Sequence, residues 1–209
     1  MQDILKEYWN STILKYTDEL YADELFSNII KHYTESSRYY HNQTHILKML
    51  DFSFLYIDKI QDADTLQLAI FYHDIIYNSL SKNNEIESAA LAVEQLSKTN
   101  FPKEKIKLVE QFIVSTQKHF PIIEHLDLPY FLDVDLAILG TERSIYIDYA
   151  EKIRKEYKWV PTFLYNKNRK KVLQHFLERE HIYFTEIFRN QYELIARENL
   201  VFEIEVILK

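Results

Sequence analysis

Residues 66–77 read LQLAIFYHDIIY. Leu66, Ala69, Ile70, His73, Asp74 and Tyr77 fall at i, i+3, i+4, i+7, i+8 and i+11, the spacing of one helix face. Leu68, Phe71, Tyr72, Ile75 and Ile76 fill the remaining sides. A helix that is apolar nearly all round is a buried helix. Its middle nevertheless carries a histidine and an aspartate side by side. Burying an ionised carboxylate without a partner costs several kcal/mol. Residues 60–81 contain no Lys or Arg, so the compensating charge comes from a distant part of the chain or from a metal ion. A His-Asp pair that satisfies itself is the plainer alternative. Neighbouring helical residues point about 100° apart, which suits leaning toward a shared ion better than bonding to each other.

Helical periodicity continues on both sides of this stretch. It predicts helices at about 3–16, 18–34, 44–58, 62–78, 83–98, 102–118, 131–139, 143–158, 161–180 and 182–208. Pro102 and Pro161 suit the first turns of their helices. Tight-turn chemistry for antiparallel strands is missing: there is one glycine, Gly140, and no Asn-Gly. The expected fold is therefore all-α. Gly140 is expected to be a left-handed cap after the short apolar helix. The end, LVFEIEVILK (200–209), alternates briefly but has no partner strand and is read as helix. A chain of 209 residues fits one domain, with a core at about 38–140 and a helical extension at about 141–209.

Composition narrows the function classes. The net charge of −7 disfavours long nucleic acids as partners. Local exceptions cluster at 152–171, which holds eight Lys and Arg; this is a solvated helix face or an attractor for a small anion. No run of 18 apolar residues exists, so no membrane span and no membrane partner are expected. The opening MQDILKEYWNSTILKY lacks the apolar core of a signal peptide. The absence of cysteine excludes disulfides, thiolate sites and cysteine nucleophiles, and fits a cytoplasmic location. Many tyrosines and a long last helix permit a homodimer.

Two further stretches carry chemistry. RYYHNQTHI (38–46) places His41 and His45 four apart, with His45 opening an apolar helix and His41 in the loop before it. YFLDVDLAILG (130–140) embeds Asp133 and Asp135 in an otherwise apolar run. Capping the short helix explains one aspartate; a bound cation explains a second.

A lone histidine opening a helix, a buried His-Asp pair and an aspartate in an apolar helix together resemble the HD superfamily. More narrowly, RYYHNQTHI, LAIFYHDIIY, NEIESAALA, FLDVDLAILG, YIDYAEKIRKEY and ARENL resemble predicted HD-type metal-dependent phosphohydrolases of unassigned substrate. The resemblance runs from about residue 38 to 200. It implies that His45, His73, Asp74 and Asp135 hold one divalent ion, with Asp133 the rival for the last place. It also implies that Asn84 and Glu85 lie near the attacking water. Asn168-Arg169 departs from an expected Gly-Arg and puts a local turn in doubt.

Two imidazoles and two carboxylates suit Mn, Fe, Co, Ni or Zn better than Mg. The implied reaction is attack by metal-bound hydroxide on a phosphoester or phosphoanhydride, most naturally of a nucleotide. Asp74 and Glu85 are the expected catalytic carboxylates, with Glu85 taking or relaying the proton. Lys118, His119, Arg143 and Arg154 are candidate contacts to a small phosphorylated substrate; Thr116 is a weaker one. An HD-like di-iron oxygenase and a non-catalytic, metal-stabilised binding module are the alternatives.

Overall fold

Four polar side chains start helices by accepting a backbone N–H of the first turn. Asp18 accepts from Tyr21, Asn42 from Thr44, Asp62 from Thr65 and Thr185 from Phe188. The structure, a computed structural model, describes residues 1–209. It is all-helical, with ten α-helices and no strand. They are α1 (Gln2–Ile13), α2 (Glu19–Tyr33), α3 (Gln43–Leu55), α4 (Ala63–Tyr72), α5 (Asn84–Leu96), α6 (Lys103–Ser115), α7 (Leu128–Leu136), α8 (Arg143–Glu156), α9 (Thr162–Leu177) and α10 (Glu186–Phe202). A π-helical turn, Glu203–Ile207, continues α10, so the alternating tail is helical as expected. No helix is long and apolar enough to cross a membrane.

The chain divides into two compact units, Met1–Leu132 and Asp133–Lys209. The division falls inside α7. In the first unit α4 is the central element: Leu66, Leu68, Ala69, Ile70, Phe71 and Tyr72 are all buried. Trp9 of α1 meets the Phe71 ring edge-on at 5.2 Å and donates its indole N–H to the Ala22 carbonyl. The Tyr72 hydroxyl donates to Gln95 of α5 at 2.8 Å.

The cap of α4 is reinforced. Asp62 accepts from the Thr65 amide at 3.2 Å, the Thr65 hydroxyl at 2.6 Å and the Lys105 ammonium at 3.1 Å. Burial alone would raise its pKa, but these three donors outweigh burial and hold it below its ordinary value of 3.8. Asp62→Ala is expected to cost about 1–2 kcal/mol in urea unfolding at neutral pH. A depressed folded pKa gives stability that is complete above 3.8 and is lost as pH falls through the folded value. The difference between wild type and variant should therefore narrow in acid; a constant difference would contradict the ionised cap.

In the second unit α10 packs on the 3₁₀ turn Ala137–Gly140 that follows α7. Gly140 has no positive φ, so it is not the left-handed cap that the sequence suggests. Close approach explains it instead: a Cβ there would sit 2.5 Å from Tyr192 Cβ and 2.9 Å from the Tyr192 carbonyl oxygen. Gly140→Ala should force α10 outward and destabilise by about 1–3 kcal/mol, read as a lower thermal midpoint. Asn168 and Arg169 lie inside α9 and not in a turn, so no glycine is needed there. Arg169 makes a two-pronged pair with buried Glu203, at 2.8 and 3.1 Å, and Tyr146 donates its hydroxyl to the same carboxylate.

Candidate metal centre

Helix α4 ends at Tyr72, earlier than its apolar pattern suggests. His73 is its C-cap, still in helical conformation, and the chain then turns through Asp74 to Ile76. The His-Asp pair thus sits at the helix end, not in its middle. Leaving the helix is what lets two adjacent side chains converge. The His73 Nδ1–H donates to the Ile70 carbonyl at 2.8 Å. This bond assigns the proton to Nδ1 and turns the Nε2 lone pair outward, as in a metal-binding imidazole.

His45 is the third residue of α3 and is 4% exposed. Its Nε2 faces the His73 Nε2 at 3.1 Å. Asp74 Oδ2 lies 3.0 Å from the His73 Nε2 and 3.9 Å from the His45 Nε2. Ligand atoms about 2.1 Å from one ion stand about 3.0 Å apart at a right angle and about 4.2 Å apart in trans. All three separations fall in that window, so the residues fit a shared ion. Asp135, on α7, completes a group: His45, His73 and Asp135 each offer a ligand atom, all within 4.8 Å of one another.

Asp133 has a different use. It is fully buried and accepts from the amides of Phe184 and Thr185, both at 2.8 Å, and from the Thr185 hydroxyl at 2.7 Å. It therefore braces the start of α10. Burial pushes its pKa up to about 6 against the pull of these donors and Arg189. Asp127, also fully buried, takes the amides of Gln61 and Asp62 at 2.8 Å each. Backbone amides thus compensate both buried carboxylates, and Asp133, the rival to Asp135 for the last ligand place, is engaged inside the second unit.

The turn at Asp74 is held by a residue that sequence reasoning passed over. Arg38 is buried; it donates to the carbonyls of Asp74 at 2.5 Å, Ile75 at 2.8 Å and His41 at 3.4 Å. Its guanidinium also covers the rings of Tyr33 and Tyr77, and the Tyr33 hydroxyl accepts the Asp74 amide at 3.2 Å. Arg38 opens the same RYYHNQTHI stretch as the two histidines. A cation there, in an otherwise uncharged run, was the available signal. Ser88 of α5 fixes the far side of the turn through the Ile76 amide.

Burial would raise the Asp74 pKa, but His73, His41 and His45 overcome it and hold the carboxylate well below its usual range. His41 stacks on Tyr77 at 4.4 Å. Glu85, in the first turn of α5, moves the other way: burial and the Asp74 charge raise it, and its own amide, His119 and His73 only partly offset them. Its neighbour Asn84 closes the preceding loop by exchanging hydrogen bonds with the Asn78 backbone.

The expected substrate contacts fall in several places. Thr116 is buried and donates its hydroxyl to the Ile113 carbonyl. His119 follows α6 with φ 44°, the one left-handed non-glycine residue in the chain. The Phe120 amide returns to Ser115 and the His119 amide to Thr116, the two bonds of a Schellman stop in which glycine is usual. A left-handed histidine costs about 1–2 kcal/mol, and here it directs its imidazole into the field of Glu85. Lys118, beside it, is exposed. Arg143 and Arg154 belong to the second unit and have partners there. Arg143 lies 4.3 Å over the Phe202 ring. Arg154 donates to the carbonyls of Tyr157 at 2.6 Å and Val160 at 3.1 Å, tying off the end of α8.

Comparison of the chain with family models, with curated proteins and with solved structures finds no match, so this centre stands on its own geometry and donor chemistry.

Proposed function

We propose that the chain is a metal-dependent phosphohydrolase of the HD type, acting on a phosphoester or phosphoanhydride of a small nucleotide-like molecule. One observation carries the reading: two buried imidazole Nε2 atoms face each other at 3.1 Å with a carboxylate oxygen 3.0 Å from one of them. In this reading His45, His73, Asp74 and Asp135 hold one divalent ion, of Mn, Fe, Co, Ni or Zn character. Such an ion supplies acidification of water and neutralisation of charge at phosphorus.

The chain's own groups do the rest. The Ile70 carbonyl keeps the His73 proton on Nδ1, and Arg38 fixes the Asp74 backbone. Burial raises the Glu85 pKa, which favours a proton-relaying role for it, and the His119 imidazole acts electrostatically on the same carboxylate. Lys118 supplies a cation next to that pair for phosphate oxygens.

Elemental analysis of the purified protein followed by a phosphatase and nucleotide screen with each ion tests this. One ion per chain and release of phosphate or a nucleoside product support it. Two irons per chain without phosphate release would move the assignment to di-iron oxidation. A bound ion without turnover across the panel would leave a metal-stabilised binding module.

A further inference from the structure

Residues 157–177 contain Lys158, Lys167, Arg169, Lys170 and Lys171 and no acidic residue, in a chain whose net charge is −7. The same stretch leaves large apolar side chains in solvent. Trp159 is 78% exposed, Phe163 77% and Leu164 39%. Folding does not require them there, because α9 packs inward through Tyr165, Leu173 and Phe176. Phe163, Lys167 and Lys171 follow each other at i, i+4 and i+8 on its outer side, and all three are exposed. The Lys158 ammonium lies 5.2 Å over the Trp159 ring.

We infer that the turn between α8 and α9, with the outer side of α9, is a docking surface for an anionic lipid membrane. A tryptophan and a phenylalanine enter the headgroup boundary while lysines meet the acidic headgroups, the arrangement of helices that lie on membranes. A second copy of the chain is a poor occupant, since a two-fold contact would place this cationic patch against itself. The lack of a spanning helix concerns insertion and does not bear on adsorption. The inference is independent of the metal centre.

The chain has two tryptophans, and Trp9 is fully buried, so a change in emission on binding reports Trp159. The full-length protein is mixed with vesicles of phosphatidylcholine alone or with phosphatidylserine added. Expected are sedimentation with the phosphatidylserine vesicles only, a blue shift of emission, and release by salt. Each lysine near an anionic leaflet contributes about a fivefold gain in affinity, so Lys167→Gln with Lys171→Gln should weaken binding roughly 25-fold. Trp159→Ser should abolish the shift, and Phe163→Ser should weaken binding. These positions are exposed, and unchanged circular dichroism of each variant verifies the fold. No sedimentation with either vesicle overturns the inference. So does equal retention on polyglutamate beads, which would point to an acidic protein partner. A Trp159-dependent dimer without lipid would overturn it too.

Discussion

His73→Ala is expected to leave the protein folded and unable to retain its metal. His73 contributes an imidazole whose Nδ1 proton is fixed by a backbone carbonyl, and it stands between His45 and Asp74, at 3.1 and 3.0 Å from each. Loss of an outer-sphere partner alone costs 10–100-fold in metal affinity, so removing the ligand itself should cost at least about a hundredfold. A ligand at a hundred times its dissociation constant stabilises the native state by about 2.7 kcal/mol. For a chain of this size that raises the thermal midpoint by roughly 5–10 °C. Wild type should show this rise on adding the ion, and His73→Ala should show none, with far-UV helicity largely unchanged in both. Asp74→Ala should behave alike. Metal content equal to wild type in either variant would remove the assignment.

The two aspartates of α7 should separate cleanly. Asp133→Ala strips acceptors from two backbone amides and a hydroxyl inside the second unit. Each buried donor left unsatisfied costs about 1–3 kcal/mol, so the loss should be at least about 3 kcal/mol in urea unfolding. Asp135→Ala removes a half-buried carboxylate of the ligand group. It should cost less stability than Asp133→Ala yet lose metal by about a hundredfold or more. The opposite pattern, with metal loss in Asp133→Ala and instability in Asp135→Ala, would shift the ligand by two residues.

Most of the architecture was legible from spacing. All ten predicted helices exist, because each has a long periodic face and several carry polar caps at their starts. What was not legible depends on approach between distant segments. Apolar residues continue past Tyr72, so the pattern could not show that α4 stops there. Gly140 looked like a conformational requirement, whereas the constraint is the backbone of α10. Asp133 looked like a rival to Asp135 for the metal, whereas donors from residues 184 and 185 engage it. Arg143 and Arg154 looked available for phosphate; the fold sets Arg143 over an aromatic ring and has Arg154 donate to helix-end carbonyls, neighbours that spacing could not show. The residues that meet at the centre were legible because buried charge is rare and few histidines open apolar helices. Arg38 was marked only as a cation in an uncharged run; its role was not legible, because besides Glu35 its hydrogen-bond partners are carbonyl oxygens, which any sequence contains.

The grip of Arg38 on the turn at Asp74 bears on how an ion would come and go. Remodelling that turn would strand a guanidinium and its carbonyl acceptors away from water. The cradle should therefore keep its shape whether empty or filled. Exchange of one metal for another would then proceed at the pace of ligand detachment, with no refolding step in between.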